Sequence, residues 1–355
     1  MMKKILPVMI GAALAGGMTA ASADVTVFGH IDTAVVHSDT DYDGGEFDGA
    51  DTNLQCTTCS IGFKGSEDLG NGLKVIFKLD FQYDTSVRND GDGSSNDGDN
   101  DNSGLLDRDQ WLGLSGNFGK VRVGTISTVY KSHGAMIDPL YRTAAQGRAM
   151  GLQSDFHNGA GDELGARSTS TIRWDSADFN GLKIGAFYTL DHDESDGEDE
   201  DPFGIGAQYK NGGILVFADY MDNNQGDSDP DGEVSVWKLG GKYSMNNFAV
   251  MGQYEDADLG DDYEMTTWHI AGSFTQGNNM LYLGYGSGEL EEGGYDEDYD
   301  AFTIAGMHSM SKRTSVYAAY STADCSYDIY DTPCENTNSD GGDPSVFAVG
   351  LKHKF

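Results

Sequence analysis

Apolar side chains along this chain fall on alternate positions. In LKVIFKLDFQYD (73–84), Leu73, Val75, Phe77, Leu79, Phe81 and Tyr83 share one face, opposite Lys74, Lys78, Asp80, Gln82 and Asp84. In LKIGAFYTLD (182–191), Leu182, Ile184, Ala186, Tyr188 and Leu190 oppose Lys183, Thr189 and Asp191. TTWHIAGSF (266–274) aligns Thr266, Trp268, Ile270, Gly272 and Phe274. A period of two separates faces on a strand and cannot do so on a helix. The final VGLKHKF keeps the rule: Val349, Leu351, His353 and Phe355 lie to one side, Gly350, Lys352 and Lys354 to the other.

The connections also alternate. Short turns fall at about 66–72, 116–120, 178–181, 210–213, 244–247, 275–279 and 310–313. Between them lie longer, mostly acidic connections at about 38–54, 85–104, 128–166, 192–202, 223–232, 257–263, 290–297 and 324–343. This pattern predicts sixteen antiparallel strands in an up-and-down meander, with tight turns at one rim and long loops at the other. No later stretch reaches the roughly 18–20 apolar residues of a membrane helix, but a membrane strand needs only about 9–11. Tyr83, Tyr209, Tyr243, Tyr254, Tyr320 and Phe355 sit near segment ends, as interfacial girdles require. The expected fold is therefore all-β: a closed transmembrane barrel with lipid outside and water inside, because an open edge is not tolerated in lipid. Lys3 and Lys4, the apolar Ile5–Ala15 and Ala21-Ser22-Ala23 read as a secretory leader cleaved after residue 23. Residues 24–355 then form one barrel domain.

Charge narrows the functions. Fifty-eight acidic residues against 22 basic ones leave a net −36, with mean hydropathy −0.46. Such acidity excludes nucleic acid as a partner. Much of it lies in runs such as NDGDGSSNDGDNDN and DHDESDGEDED, which read as solvated connections. Asp97, Asp99 and Asp101 resemble the opening of a calcium loop, a weak candidate because Arg108 stands where the closing Glu belongs. No cofactor is expected. Four cysteines allow three connectivities; local disulfides, Cys56 with Cys59 and Cys325 with Cys334, are the expected pairing in an oxidising compartment. A zinc or redox reading of Cys56/Cys59 lacks a neighbouring His or a βαβ pattern. His269 and His308 fall in strands without a companion Ser motif, so an enzyme is not expected.

IGFKGSEDLGNGLKVIFKLD (61–80) and RDQWLGLSGNFGKVRVG (108–124) resemble general diffusion porins of the Gram-negative outer membrane. The opening VTVFGHID and the closing VGLKHKF resemble the same family, so the likeness spans the mature chain. It implies a homotrimer in outer-membrane lipid that passes small hydrophilic solutes. It implies a third extracellular loop, here about 127–166, folded into the bore. It also makes Phe355 and its strand the signal for the barrel assembly machinery. The loop's length and its Met136, Ile137, Leu140, Met150 and Leu152 independently suit packing inside a wall.

A narrow pore works through fixed charges. In the family, acids on the inward loop face basic wall residues. The acid candidates are Asp138 (in MIDPLY, the first choice), Asp155, Asp162 and Glu163. The basic wall candidates are His30, Lys74, Lys78, Arg108, Arg122 and Arg173, with strand parity placing Arg108 and Gln110 in the lumen and Trp111 and Gly113 toward lipid. Where many relatives carry an arginine before IGFKG, this chain has Ser60. With the net charge, that loss leads to the expectation of cation preference, which Arg142, Arg148 and Arg167 would offset. The alternatives are a substrate-specific channel or a structural or adhesive barrel.

Overall fold

In the computed structural model the described residues are 24–40, 49–86, 105–158, 164–190, 201–223, 234–260, 263–292, 295–326 and 342–355. The leader, residues 1–23, lies outside them. The described chain forms one sheet of seventeen hydrogen-bonded segments. They are β1 (Asp24–Thr40), β2 (Gly49–Cys56), β3 (Ser60–Gly70), β4 (Leu73–Gln82), β5 (Leu106–Gly116), β6 (Gly119–Ser127), β7 (Arg167–Asp175), β8 (Leu182–Thr189) and β9 (Phe203–Asn211). There follow β10 (Ile214–Asp222), β11 (Ser235–Met245), β12 (Phe248–Asp258), β13 (Tyr263–Gln276), β14 (Asn279–Glu292), β15 (Tyr295–Ser309), β16 (Thr314–Cys325) and β17 (Ser345–Lys354).

The count reconciles with sixteen strands because β2 and β3 are halves of one. Both pair antiparallel with β1, β3 from Asp24 to His30 and β2 from Thr33 to Thr40. Between them Thr57, Thr58 and Cys59 face only Ile31 and Asp32, the one-residue excess of a β-bulge. The Cys56–Cys59 disulfide spans it, and Thr58 takes a left-handed backbone (φ 52). Cys325 is also disulfide-bonded; Cys334 lies outside the described residues. β17 pairs with β1 from His30–Lys354 to Asp39–Ser345 and closes the barrel.

The outer face carries the apolar set that alternation foretold: Val25, Val27, Phe63, Leu79, Trp268, Ile270, Val349 and Leu351 are exposed to the membrane side. Tyr209, Tyr243, Tyr254, Tyr320 and Phe355 are exposed on that face as well. No described helix is long and apolar enough to cross a membrane; the strands cross it.

Between β6 and β7 the chain enters the bore. Helix α1 (Val129–Ile137) starts at Thr128, whose hydroxyl accepts from Lys131 N, and two short 3-10 turns follow, Gly147–Ala149 and Asp155–His157. Ile137, Leu140, Ala145 and Leu152 of this insertion pack on Leu215, Phe217, Met251, Ala271, Tyr282 and Ala305 of the inner wall. This apolar part of the inner wall is covered by the insertion rather than by water.

Candidate functional site

The insertion is seated on one side of the bore. Gly206 of β9 has no side chain where α1 passes: a Cβ there would come within 2.6 Å of Val129 Cγ1. Polar anchors complete the seat. Lys238 Nζ donates to Tyr130 O at 2.5 Å and lies 3.7 Å from Asp219, which also meets His133 Nδ1 at 2.6 Å. Glu255 accepts from the Tyr130 hydroxyl and from Ser154 N at 3.1 Å and Ser154 Oγ at 2.6 Å, with His157 Nε2 at 3.2 Å. Burial and the nearby Lys238 ammonium push the His157 imidazole down to about 4, so it is neutral at ordinary pH. On the far side, Tyr317 donates to Asp32 at 2.8 Å and accepts from Ala144 N at 3.0 Å, and Lys352 Nζ donates to Tyr141 O at 2.6 Å. These anchors come from five wall strands, which makes the insertion a fixed part of the pore.

Asp138, the first-choice pore acid, has another task. Its carboxylate accepts from Leu140 N at 2.8 Å and Gly147 N at 2.9 Å, folding the insertion on itself. Burial raises its carboxyl above the ordinary range although both bonds oppose the rise. Asp138 therefore staples the loop. Asp155 begins a 3-10 turn, but its side chain, like Asp162 and Glu163, lies outside the described residues, as do Asp97, Asp99 and Asp101. Among the described residues no cluster could hold a metal ion.

A second set of acids comes from the wall. Asp80 and Asp109 have Lys78 between them, 3.1 and 2.8 Å from their oxygens. Arg108 donates to Gln82 Oε1 at 2.6 Å, and its Nε is 3.8 Å from Asp80. Arg167 Nε is 3.3 Å from Asp109. The insertion adds Arg142, with guanidinium nitrogens 3.5 Å from Ser60 Oγ and 3.9 Å from Asp80. Four cationic side chains thus meet two carboxylates. Lys131, behind them on α1, is held well below the ordinary lysine range by burial and by the adjacent Arg167, Arg148 and Arg108.

His30, Lys74, Lys78, Arg108, Arg122 and Arg173 all lie on lumen-facing positions, and His30 is buried with Nδ1 3.4 Å from Thr58 O. The parity argument for Arg108 needs correction. Trp111 and Gly113 face the lumen: Trp111 lies under the Arg122 guanidinium at 5.1 Å, and Leu112 and Leu114 take the lipid side. A bulge between β4 and β5, where the register shifts from Leu79–Gln110 to Phe81–Asp107, turns both Arg108 and Asp109 inward. Asp109 was missed because a bulge is not visible in alternation, and the aim of Arg142 toward Asp80 could not be read from a loop sequence.

Comparison with known proteins agrees with this geometry. Residues 8–353 match the family described as Gram-negative porin. The major outer membrane protein P.IB of Neisseria meningitidis serogroup A is 28% identical over all of both chains. The anion-selective porin from Comamonas acidovorans has 23% identity and a TM-score of 0.74 over 94% of this chain and 100% of that one. OmpT of Vibrio cholerae in its trimer form has 16% identity and a TM-score of 0.65 over 94% of this chain and 100% of that one. At these identities the two structures speak for the fold.

Proposed function

The chain belongs to the Gram-negative porin family, and from that premise we propose that it passes small hydrophilic solutes by diffusion and favours anions at its narrowest level. It is an outer-membrane porin, a multi-pass β-barrel channel and not an enzyme. The ion preference rests on one observation: Lys78, Arg108, Arg142 and Arg167 cluster within 4 Å of Asp80 and Asp109, four cations against two carboxylates. Walls of low dielectric strengthen the field of such fixed charges. The acidity of the whole chain is a poor guide, because its densest runs lie in the long connections between strands.

Those runs favour a second reading, the cation preference expected from net charge, in which an acidic outer mouth concentrates cations. Reversal potentials in a KCl gradient decide between them. Chloride preference is expected; potassium preference would overturn the anion reading. A substrate-specific channel would show saturating conductance with one solute, where swelling of protein-loaded liposomes in sugars of graded size should follow size alone.

Assembly as a homotrimer is part of the proposal, supported by the fold shared with a trimeric neighbour and tested by mass in detergent. Insertion into outer-membrane lipid by the barrel assembly machinery, and cleavage of a leader at 1–23, belong to the same reading. N-terminal sequencing of the mature protein checks the cleavage.

A further inference from the structure

We infer that the short-turn end of the bore contains a binding pocket for small organic carboxylates, separate from the constriction. The inference rests on the reading that anions cross this pore. Between α1 and the wall formed by β4 to β9 lies a cavity of about 600 Å³, within the usual range of ligand clefts. Lys74, Lys120, Arg122, Arg173 and Lys183 line it, against Asp175 and Asp178.

The cations are set by register. Lys120 is the cross-strand partner of Asp175, and Arg122 of Arg173. Like charges directly opposite each other destabilise a sheet unless a counter-charge joins them. Asp175 bonds both arginines: one oxygen accepts from Arg122, the other from Arg173 at 2.7 Å. Arg173 also donates to Ser127 O and, at 3.2 Å, to Ser132 Oγ, and so is spent on holding α1. Arg122 is committed to Asp175 and to the ring of Trp111, and its buried Nε has no hydrogen-bond partner. One shared carboxylate and the exposed Asp178–Lys183 pair leave the cavity with surplus positive charge.

The opposite side of the cavity differs. There α1 presents Met136, 43% exposed, beside Val129. An exposed, flexible thioether inside a water-filled pore is an adaptable apolar surface. A ligand that satisfies both sides has one carboxylate for the lysine–arginine wall and a short apolar body for the helix. A compact oxyanion such as inorganic phosphate satisfies only the first.

The test is calorimetric titration of the full-length protein in detergent with hexanoate, and separately with inorganic phosphate. Hexanoate is expected to bind saturably and more tightly than phosphate. Replacing Lys74 and Lys120 by Gln should weaken hexanoate by about fivefold or more. Met136→Ser should weaken hexanoate and leave phosphate unchanged. Absence of saturable hexanoate binding, equal affinity for phosphate, or an unchanged affinity in the double variant would each overturn the inference. Reversal potentials on the same preparations keep the two readings apart. Anion preference without hexanoate binding sinks the pocket alone, and hexanoate binding in a cation-preferring channel sinks the ion preference alone.

Discussion

Gly29 and Phe355 join the ends of the barrel. Each backbone N donates to the other's carbonyl at 3.1 Å, and the Phe355 ring fills the space above Gly29, where a Cβ would lie 2.1 Å from Cζ. The terminal aromatic is thus packed into the seam on the lipid face. Gly29→Val would evict the ring, an overpacking that costs about 1–3 kcal/mol. The expected outcome is a lower fraction of folded barrel by heat-modifiable gel mobility, with unit conductance unchanged in what does fold. Deleting Phe355 should act the same way. Wild-type yields from both variants would refute the seam's role.

The insertion should come loose when Glu255 is lost. That carboxylate meets Tyr130, Ser154 and His157 and lies in the field of Lys238. Removing one partner of a buried charge network costs about 3–5 kcal/mol. Glu255→Ala should expose residues 128–166 to protease and raise conductance fluctuations, while the strand ladder holds the barrel closed. Acid should weaken the same seat. The neutral imidazole of His157, titrating near 4 when folded and at 6.5 ordinarily, contributes stability above pH 6.5 that is lost as pH falls toward 4. Protease resistance of the insertion that is unaltered in the variant and across this pH range would rule the anchor out.

The Cys56–Cys59 bridge should matter locally. Below the bulge Ser60 and Gly62 face the lumen; above it Gln55 and Asn53 do, opposite Ala34 and Val36 respectively. The bulge lets Leu54 and Phe63 both reach lipid, although alternation would put one of them in water. A disulfide closing so short a ring contributes only about 2 kcal/mol. Replacing both cysteines by Ser should leave assembly intact and lower the urea midpoint modestly. Complete failure to assemble would show that the bridge fixes strand register outright.

Alternation carried the strand faces and the sixteen-strand count. It failed at bulges, because one inserted residue reverses parity: this is why Trp111 was assigned to lipid. The stapling bonds of Asp138 were not legible, because sequence does not show that Leu140 and Gly147 turn back onto its carboxylate. The seat of the insertion did leave a trace. Ala271, Ala301, Ala305, Ala319, Ala323 and Ala348 are small residues at lumen positions of the last strands, where a solvated wall would carry polar ones.

Arg142 provides the sharpest test of the pore's sign. It holds a left-handed backbone, φ 60, which costs a non-glycine residue about 1–3 kcal/mol in strain. Its N–H is steadied by Gln146 Oε1 at 3.3 Å. The strained residue is the one whose guanidinium reaches across to Ser60 and Asp80. Arg142→Gly removes the charge and suits the backbone, so its effect on permeation is not confounded by misfolding. The chloride-to-potassium permeability ratio should fall by roughly two- to fivefold, about 0.4–1 kcal/mol, and unit conductance should rise. Arg142→Lys should retain most of the ratio. Because the charges are partly exposed, the difference should shrink from 0.1 to 1 M salt as screening shortens to about 3 Å. An unchanged ratio in the glycine variant at low salt would show that the loop arginine takes no part in selecting ions.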